Sequence, residues 1–132
     1  MDLKDLKPSS DTVEVTVVHP TTYEPLTNDD GSNMVITMYA PHSKEYKAAV
    51  HEQTNKRLKQ AQSKKKMDVT AQDLDEAALE LLAKTTKDWK ITYGGVKPKF
   101  SVDKAKDIYD EVFWIRNQIE EAISNYLDFT KT

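Results

Sequence analysis

The chain has 132 residues, no cysteine and a formal net charge of −3. This length suits one domain, and the lack of cysteine excludes disulfides and thiolate metal sites. The acidic balance argues against nucleic acid as the main ligand. No stretch approaches the ~18 consecutive apolar residues of a membrane span, and the charged opening lacks the apolar run of a signal peptide, so we expect a soluble, cytosolic protein.

Two short apolar runs near the start predict an antiparallel β-hairpin. Residues 12–18 alternate between valine and more polar side chains, which is typical of a half-buried strand. The second run, residues 34–39, follows a polar segment that contains Asp30 and Gly31. Asp-Gly is a strong turn dipeptide, because glycine tolerates positive φ. We therefore predict a hairpin over about residues 12–39, with a long polar connection.

The next segment predicts a helix over about residues 43–65. Pro41 closes the preceding strand, and Ser43 has the residue type of an N-cap. The apolar stripe of this helix is thin, and Lys, Arg, Gln and Glu occupy the remaining face. We expect the helix to pack lightly on the rest of the domain.

A more strongly apolar helix is predicted over about residues 70–89. Thr70 and Asp73 resemble a capping box, with Asp in place of the usual Glu. Apolar residues then recur at helical spacing, namely Leu74, Ala77, Ala78, Leu81, Leu82 and Trp89. Burial of each leucine is worth roughly 1.5–3 kcal/mol, so we expect the three leucines to lie in the core.

The last part of the chain predicts a turn followed by a helix or helix pair over about residues 102–129. Gly94 and Gly95 supply the turn, and Ser101 has the residue type of an N-cap. Apolar residues recur along the predicted helix at helical spacing, namely Ala105, Ile108, Val112, Ile115, Ile119, Ile123, Tyr126 and Leu127. These side chains are the predicted core face of the segment.

Together these elements predict an α+β fold that is predominantly helical. The N-terminal two-stranded antiparallel hairpin packs with three to four α-helices. We expect residues 1–132 to form a single domain, since no internal repeat or low-complexity tail divides the chain.

No pattern in the sequence indicates catalysis. The three histidines, His19, His42 and His51, are not spaced as metal ligands on one helix face. Carboxylates that are adjacent in sequence diverge on a helix, so they are better interpreted as solvated faces than as acid/base pairs. Gly94-Gly95 lacks the frame of a phosphate-binding loop. We predict no catalytic residue, no metal and no cofactor, and we expect a non-enzymatic protein that binds other proteins.

A basic patch near the middle of the chain is the alternative candidate site. It consists of Lys56, Arg57, Lys59, Lys64, Lys65 and Lys66. The patch has no interleaved aromatic residue on which bases could stack. A solvated helix face is the favoured interpretation, and nucleic acid is not expected as the partner.

The C-terminal segment has more large aromatic side chains than one helix face of so short a chain can bury. Large aromatics are enriched at protein interfaces, and methionine adapts to varied partners. The predicted partner-binding residues are therefore Phe113, Trp114, Tyr126, Phe129, Met34 and Met38.

The last third of the chain also carries a set of features in a fixed order. They are Trp89, Gly94-Gly95, Phe100-Ser101, Ala105, Trp114-Ile115-x-x-Gln118-Ile119 and Asn125-Tyr126-Leu127-Asp128-Phe129. This segment resembles the C-terminal half of the tail assembly chaperones of long-tailed, non-contractile bacteriophages, in phages and prophages. The lysine-rich helix over residues 44–66 is longer than that family leads us to expect.

The resemblance implies a specific function. Such chaperones bind the long, helical tape-measure protein, keep it soluble and recruit tail-tube subunits during tail morphogenesis. They then leave, which implies a location in the host cytoplasm and absence from the mature virion. The implied partners are the tape-measure and tail-tube proteins, and a homo-oligomer remains compatible with the sequence. The alternative is a nucleic-acid-associated regulator, or another phage structural or interaction protein, that uses the basic segment 56–66.

Overall fold

The structure is a computed structural model that describes residues 2–6, 10–63 and 70–127. It contains a three-stranded antiparallel sheet and four α-helices, which confirms the predicted α+β fold. The elements are, in chain order, β1 (Thr12–Thr16), β2 (Val35–Tyr39), α1 (Lys44–Ser63), α2 (Ala71–Lys84), β3 (Thr86–Lys90), α3 (Val102–Glu111) and α4 (Trp114–Leu127), with a short 3₁₀ turn at Leu3–Leu6.

The sheet has the order β1-β2-β3, so β2 is the central strand. Val15 lies opposite Ile36 in β2, and Ile36 lies opposite Trp89 in β3. The N-terminal hairpin is confirmed. The prediction that placed Trp89 at the end of a helix over 70–89 is wrong, because Trp89 belongs to a third strand.

Two threonines explain why α2 ends before Trp89. The Thr85 hydroxyl donates to the carbonyl oxygens of Leu81 at 2.9 Å and Leu82 at 3.2 Å, and the Thr86 hydroxyl donates to Leu82 O at 2.9 Å. These bonds satisfy carbonyl groups that a helix C-terminus leaves without partners. β-Branched residues also favour extended backbone, so the chain passes directly from α2 into β3.

The core lies between one face of the sheet and the helices. It is a single cluster of buried residues, namely Val15, Val17, Ile36, Met38, Leu79, Ala83, Trp89, Ile91, Ala105, Ile108, Tyr109, Ile115 and Ile119. The opposite sheet face carries exposed polar side chains such as Glu14 and Thr16. This alternation is the pattern expected of an antiparallel sheet that is covered on one side.

The helices attach to the core to different extents. α2 packs on α3, α4 packs on β1, and the chief contacts of α1 are with α2. Ala49 is the buried apolar residue of α1, while Leu58 on the same helix is exposed. This arrangement agrees with the predicted light packing of α1, since the helix buries little apolar surface.

Three helix starts have the predicted caps. The Ser43 hydroxyl accepts the Tyr46 N–H at 3.1 Å, and the Ser101 hydroxyl accepts the Lys104 N–H at 3.1 Å. Thr70 forms a complete capping box at the start of α2. Each cap satisfies a backbone N–H that the first helical turn leaves without an intrahelical partner.

Among the described residues, Tyr109 is the largest fully buried side chain, and its hydroxyl lies 2.9 Å from the Thr86 Oγ1. Since Thr86 donates to Leu82 O, Tyr109 is the donor in this pair. Burial raises the pKa of Tyr109 to about 12, because the charged phenolate would lose its hydration. The bond therefore joins α3 to the start of β3 inside the core.

The long connection between β1 and β2 is anchored to the rest of the domain. The buried Asn28 side chain donates to Lys90 O at 3.3 Å and accepts the Thr92 hydroxyl at 2.7 Å. Asp30 accepts hydrogen bonds from Ser32, and these bonds, together with the Lys90 ammonium, hold its pKa well below the usual range. The predicted turn at Gly31 is present, with φ at +85°.

Candidate functional site

The candidate site is an open groove between α2 and α4, hereafter the α2–α4 groove. It consists of two adjoining hollows of about 500 and 330 Å³ that share Ala78, Leu82 and Glu120. Its apolar lining comes from Tyr46, Ala78, Leu81, Leu82, Phe113 and Ile123, and its polar lining from Asp75, Thr85, Asp110, Arg116, Asn117, Glu120 and Ser124. The smaller hollow is mainly apolar and the larger one is mainly polar, and protein-binding surfaces combine both kinds of lining.

The groove exists because α2 and α4 pack on different parts of the domain. α2 rests on α3, whereas α4 rests on β1, and the principal contacts of neither helix are with the other. Leu79 and Ala83 of α2 point into the core, which leaves Leu74 and Ala78 on a second face of the same helix. The helix is therefore apolar on more than one side, and only one side is fully covered.

Leu74 contradicts its prediction as a core residue, since 51% of its side chain is exposed. Leu81 and Leu82 are half-buried, and both line the groove. The position of Leu79 explains the difference, because the core lies on the side of α2 that carries Leu79 and Ala83. Residues 74, 78 and 81 follow one another at helical spacing and form a separate apolar stripe.

Phe113 stands at one end of the groove and is 70% exposed. It lies in the two-residue link between α3 and α4, where Val112 leaves helical geometry with φ −103° and ψ +70°. This break turns Phe113 outward, while its neighbour Trp114 packs partly buried against the core cluster. An exposed phenylalanine beside an apolar groove is a candidate anchor for a partner, because large aromatics contribute much of the binding energy at interfaces.

Arg116 fixes the same end of the groove by joining three helices. Its Nε donates to the Tyr109 carbonyl oxygen at 3.0 Å, one terminal nitrogen donates to Asp75 at 2.9 Å, and the other donates to Asp110 at 3.4 Å. The side chain is largely buried, at 19% exposure. A planar guanidinium holds several acceptors in fixed positions, so Arg116 sets the spacing of α2, α3 and α4 at this point.

The other predicted partner-binding residues do not join Phe113 in one patch. Met34 packs partly buried against the core, and Trp114 does the same from α4. The Tyr126 hydroxyl donates to Ser10 O at 2.8 Å, and its ring stacks on His42. Phe129 lies outside the described residues.

Met38 contradicts its prediction as a partner contact. Its side chain is 0% exposed, and its sulfur lies 3.3 Å from the Thr86 hydroxyl. Met38 occupies the central strand on the face that the helices cover, so no partner can reach it in the folded domain.

The described part of the basic patch faces acidic residues of α2. Lys56 and Arg57 line a cleft of about 210 Å³ between α1 and α2, together with Asp73, Glu76 and Glu80. The Lys56 ammonium lies 4.0 Å from Glu80. Lys59 lies on the outer side of α1, and Lys64, Lys65 and Lys66 lie outside the described residues. The acids of α2 offset the positive charge that a nucleic-acid site requires.

Within residues 2–6, 10–63 and 70–127, no group of three His, Cys, Asp or Glu side chains is arranged to hold a metal ion. In the same described part of the chain, no helix is both long and apolar enough to cross a membrane.

No protein-family model, curated protein or solved structure matches this chain. Of the predicted partner-binding residues, Phe113 is placed at the groove by the structure, and the sequence also indicates that α2 is rich in apolar side chains. It did not indicate Arg116, Tyr46 or Glu120 as part of the site, because they come from three helices that only the folded chain brings together. A usable signal was the excess of apolar positions on α2 over what one helix face can bury.

Proposed function

We propose that the protein is a non-enzymatic tail assembly chaperone of a long-tailed bacteriophage, which binds the tape-measure protein and recruits tail-tube subunits. The family is suggested by the resemblance of the C-terminal segment. The observation that supports the proposal is the α2–α4 groove with Phe113 exposed at its end. A tape-measure protein is a long helix with apolar faces, and an amphipathic helix lying in an apolar groove is a common recognition mode.

The dimensions of the groove suit a short helical segment. The lining runs from Phe113, directly before α4, to Ser124 on α4, which at 1.5 Å per residue is roughly 16 Å. Three helical turns have about this length, so a bound helix would present two or three apolar side chains to the groove. Phe113 would contact one end of that helix, and Ile123 and Tyr46 would contact the other.

Phe113 is expected to supply a measurable part of the affinity. Full burial of a phenylalanine is worth roughly 1.5–3 kcal/mol, and most of this side chain is still exposed in the unbound domain. Its truncation to alanine should therefore weaken binding by about tenfold, which corresponds to about 1.4 kcal/mol.

The first experiment sequences the DNA on both sides of the gene in order to identify the partner. We expect a slippery heptamer near the last codons, a very long helical reading frame downstream and a tube-protein gene upstream. A neighbourhood with none of these would contradict the chaperone assignment. It would leave the groove as a helix-binding site for another kind of partner.

The second experiment tests the groove itself. The chain is co-expressed with the product of the long downstream reading frame, and both the soluble yield and the co-purified amount of that product are measured. Phe113→Ala should reduce both. Tyr23→Ala is the matched control, because Tyr23 is also an exposed aromatic, at 75%, but lies in the turn between β1 and β2. Equal losses for the two variants, or no loss for Phe113→Ala, would contradict a role for the groove.

A further inference from the structure

We infer that the α2–α4 groove selects a helix whose apolar stripe is flanked by lysine or arginine. This inference rests on the proposed function, since it specifies the chemistry of the segment that the groove would bind. It follows from the charges around the groove. The lining is predominantly negative, and a complementary partner would be positively charged there.

The charged lining is predominantly acidic. Asp75 and Asp110 stand beside Phe113 at one end, and Glu120 lies at the centre, where the two hollows meet. The side chains of Asp75 and Asp110 are 61% and 68% exposed, and Glu120 is also exposed. A helix in the groove would therefore pass three largely solvent-exposed carboxylates, two of which also pair with Arg116.

Arg116 is the one cation among the lining residues, and three of its five N–H groups already donate within the domain. Its three nitrogens donate to the Tyr109 carbonyl oxygen, Asp75 and Asp110. A carboxylate on an incoming helix would find a guanidinium that is only 19% exposed and already paired with Asp75 and Asp110, and it would meet Glu120 as a like charge. An incoming ammonium or guanidinium would find carboxylate oxygens that are exposed to solvent.

The placement of the acids also gives the bound helix a preferred arrangement. Two of the three carboxylates lie at the Phe113 end, while the opposite end is lined by Tyr46, Ile123 and Ser124. The basic residues of the partner should therefore flank the apolar side chain that contacts Phe113. The other end of the helix can be neutral.

Three stapled helical peptides test the inference directly. They share one apolar stripe at positions i, i+4 and i+7, and they differ only in the flanking positions, which carry lysine, glutamine or glutamate. Binding is measured by fluorescence anisotropy at low and at physiological salt. We expect the lysine peptide to bind with roughly threefold or more higher affinity than the glutamine peptide, and the glutamine peptide to bind more tightly than the glutamate peptide. These differences in affinity should shrink as the salt concentration rises.

Two double variants show where the selection arises. Asp110→Asn with Glu120→Gln should remove most of the advantage of the lysine peptide while retaining binding of the glutamine peptide. Glu14→Gln with Glu24→Gln is the matched control, because it removes the same charge from exposed sites away from the groove. If both pairs reduce the advantage equally, the preference reflects net charge and the inference is overturned.

The remaining outcomes separate this inference from the proposed function. Equal binding of all three peptides, weakened in Phe113→Ala, would overturn the charge preference and leave the groove as a helix-binding site. Tighter binding of the glutamate peptide would overturn the charge preference as well. If none of the three peptides binds, both the charge preference and helix binding by the groove are overturned.

Discussion

The side-chain amide of Gln118 pairs with the main chain of Val18. Its Nε2 donates to the Val18 carbonyl oxygen at 2.8 Å, and its Oε1 accepts the Val18 N–H at 3.0 Å. Gln118 belongs to α4, and Val18 follows β1, so the pair fastens the helix to the sheet. The wall of the α2–α4 groove that α4 supplies is therefore held in place by a bond on the opposite side of that helix.

Replacing Gln118 with leucine should destabilise the domain by about 1–3 kcal/mol. The substitution leaves a partly buried N–H and a partly buried carbonyl oxygen without these partners, and unsatisfied groups carry a desolvation cost. Urea unfolding followed by circular dichroism measures the loss. Asn125→Ala, an exposed site on the same helix, is the control and should change stability by less than about 0.5 kcal/mol. Matching midpoints for the two variants would refute the role of the Gln118–Val18 pair.

The buried Tyr109 makes stability depend on pH in the alkaline range. Its folded pKa is raised to about 12, whereas an unfolded tyrosine titrates near 10. A group with a raised folded pKa contributes stability that is fully present below the unfolded pKa and is lost as pH rises through the folded pKa. We therefore expect about 2–3 kcal/mol of unfolding free energy to disappear between about pH 10 and pH 12.

Tyr109→Phe isolates this contribution. The variant should lose about 1 kcal/mol at neutral pH, because the bond to Thr86 is gone, and its stability should fall less steeply above pH 10. Denaturant midpoints measured from pH 7 to pH 11.5 give both quantities. Parallel curves for the variant and the natural protein would show that Tyr109 does not keep its proton in the folded state.

Arg116→Lys should cost about 1–2 kcal/mol of stability although the charge is retained. Lysine cannot donate at once to the Tyr109 carbonyl oxygen, Asp75 and Asp110, and charge-assisted bonds of this kind are worth more than neutral ones. Lys104→Arg, a change in α3 rather than α4, serves as the reference for a lysine–arginine exchange. If Arg116→Lys leaves the free energy of unfolding unchanged, core packing alone sets the spacing of α2, α3 and α4.

The two leucines on opposite faces of α2 should respond differently to substitution. Leu79→Ala removes buried methyl groups and should cost about 2–4 kcal/mol, whereas Leu74→Ala should cost less than about 1 kcal/mol. Thermal unfolding of both variants measures the difference. Comparable losses would indicate that Leu74 is covered in solution, as it would be in a self-associated form of the chain.

The parts of the fold that the sequence predicts are those with local signals. The caps at Ser43, Thr70 and Ser101 and the turn at Gly31 depend on nearby backbone alone, and all four are present. β3 was missed because it is five residues long, carries three charged side chains and follows α2 after one residue. Its Trp89 also falls seven positions after Leu82, which mimics helical periodicity.

The candidate site was less predictable because its geometry depends on packing between distant elements. Phe113 and Trp114 are adjacent aromatics, and only the helix break at Val112 decides which of them is exposed. In the same way, Leu74 and Leu79 are both apolar, and the position of α3 decides which one is buried. Sequence periodicity indicates that a helix has an apolar face. It does not indicate which apolar faces the rest of a small domain covers.

Hydrogen–deuterium exchange is the most direct test of the claim that the α2–α4 groove binds a helix of the tape-measure protein. The exchange rates of the backbone amides are measured for the chain alone and for its complex with the product of the long downstream reading frame. We expect added protection in the peptides that cover 74–85 and 113–124, and Phe113→Ala should reduce it at the same protein concentrations. Protection confined to α1, or to the exposed face of the sheet around Glu14, would show that the partner does not bind in the α2–α4 groove.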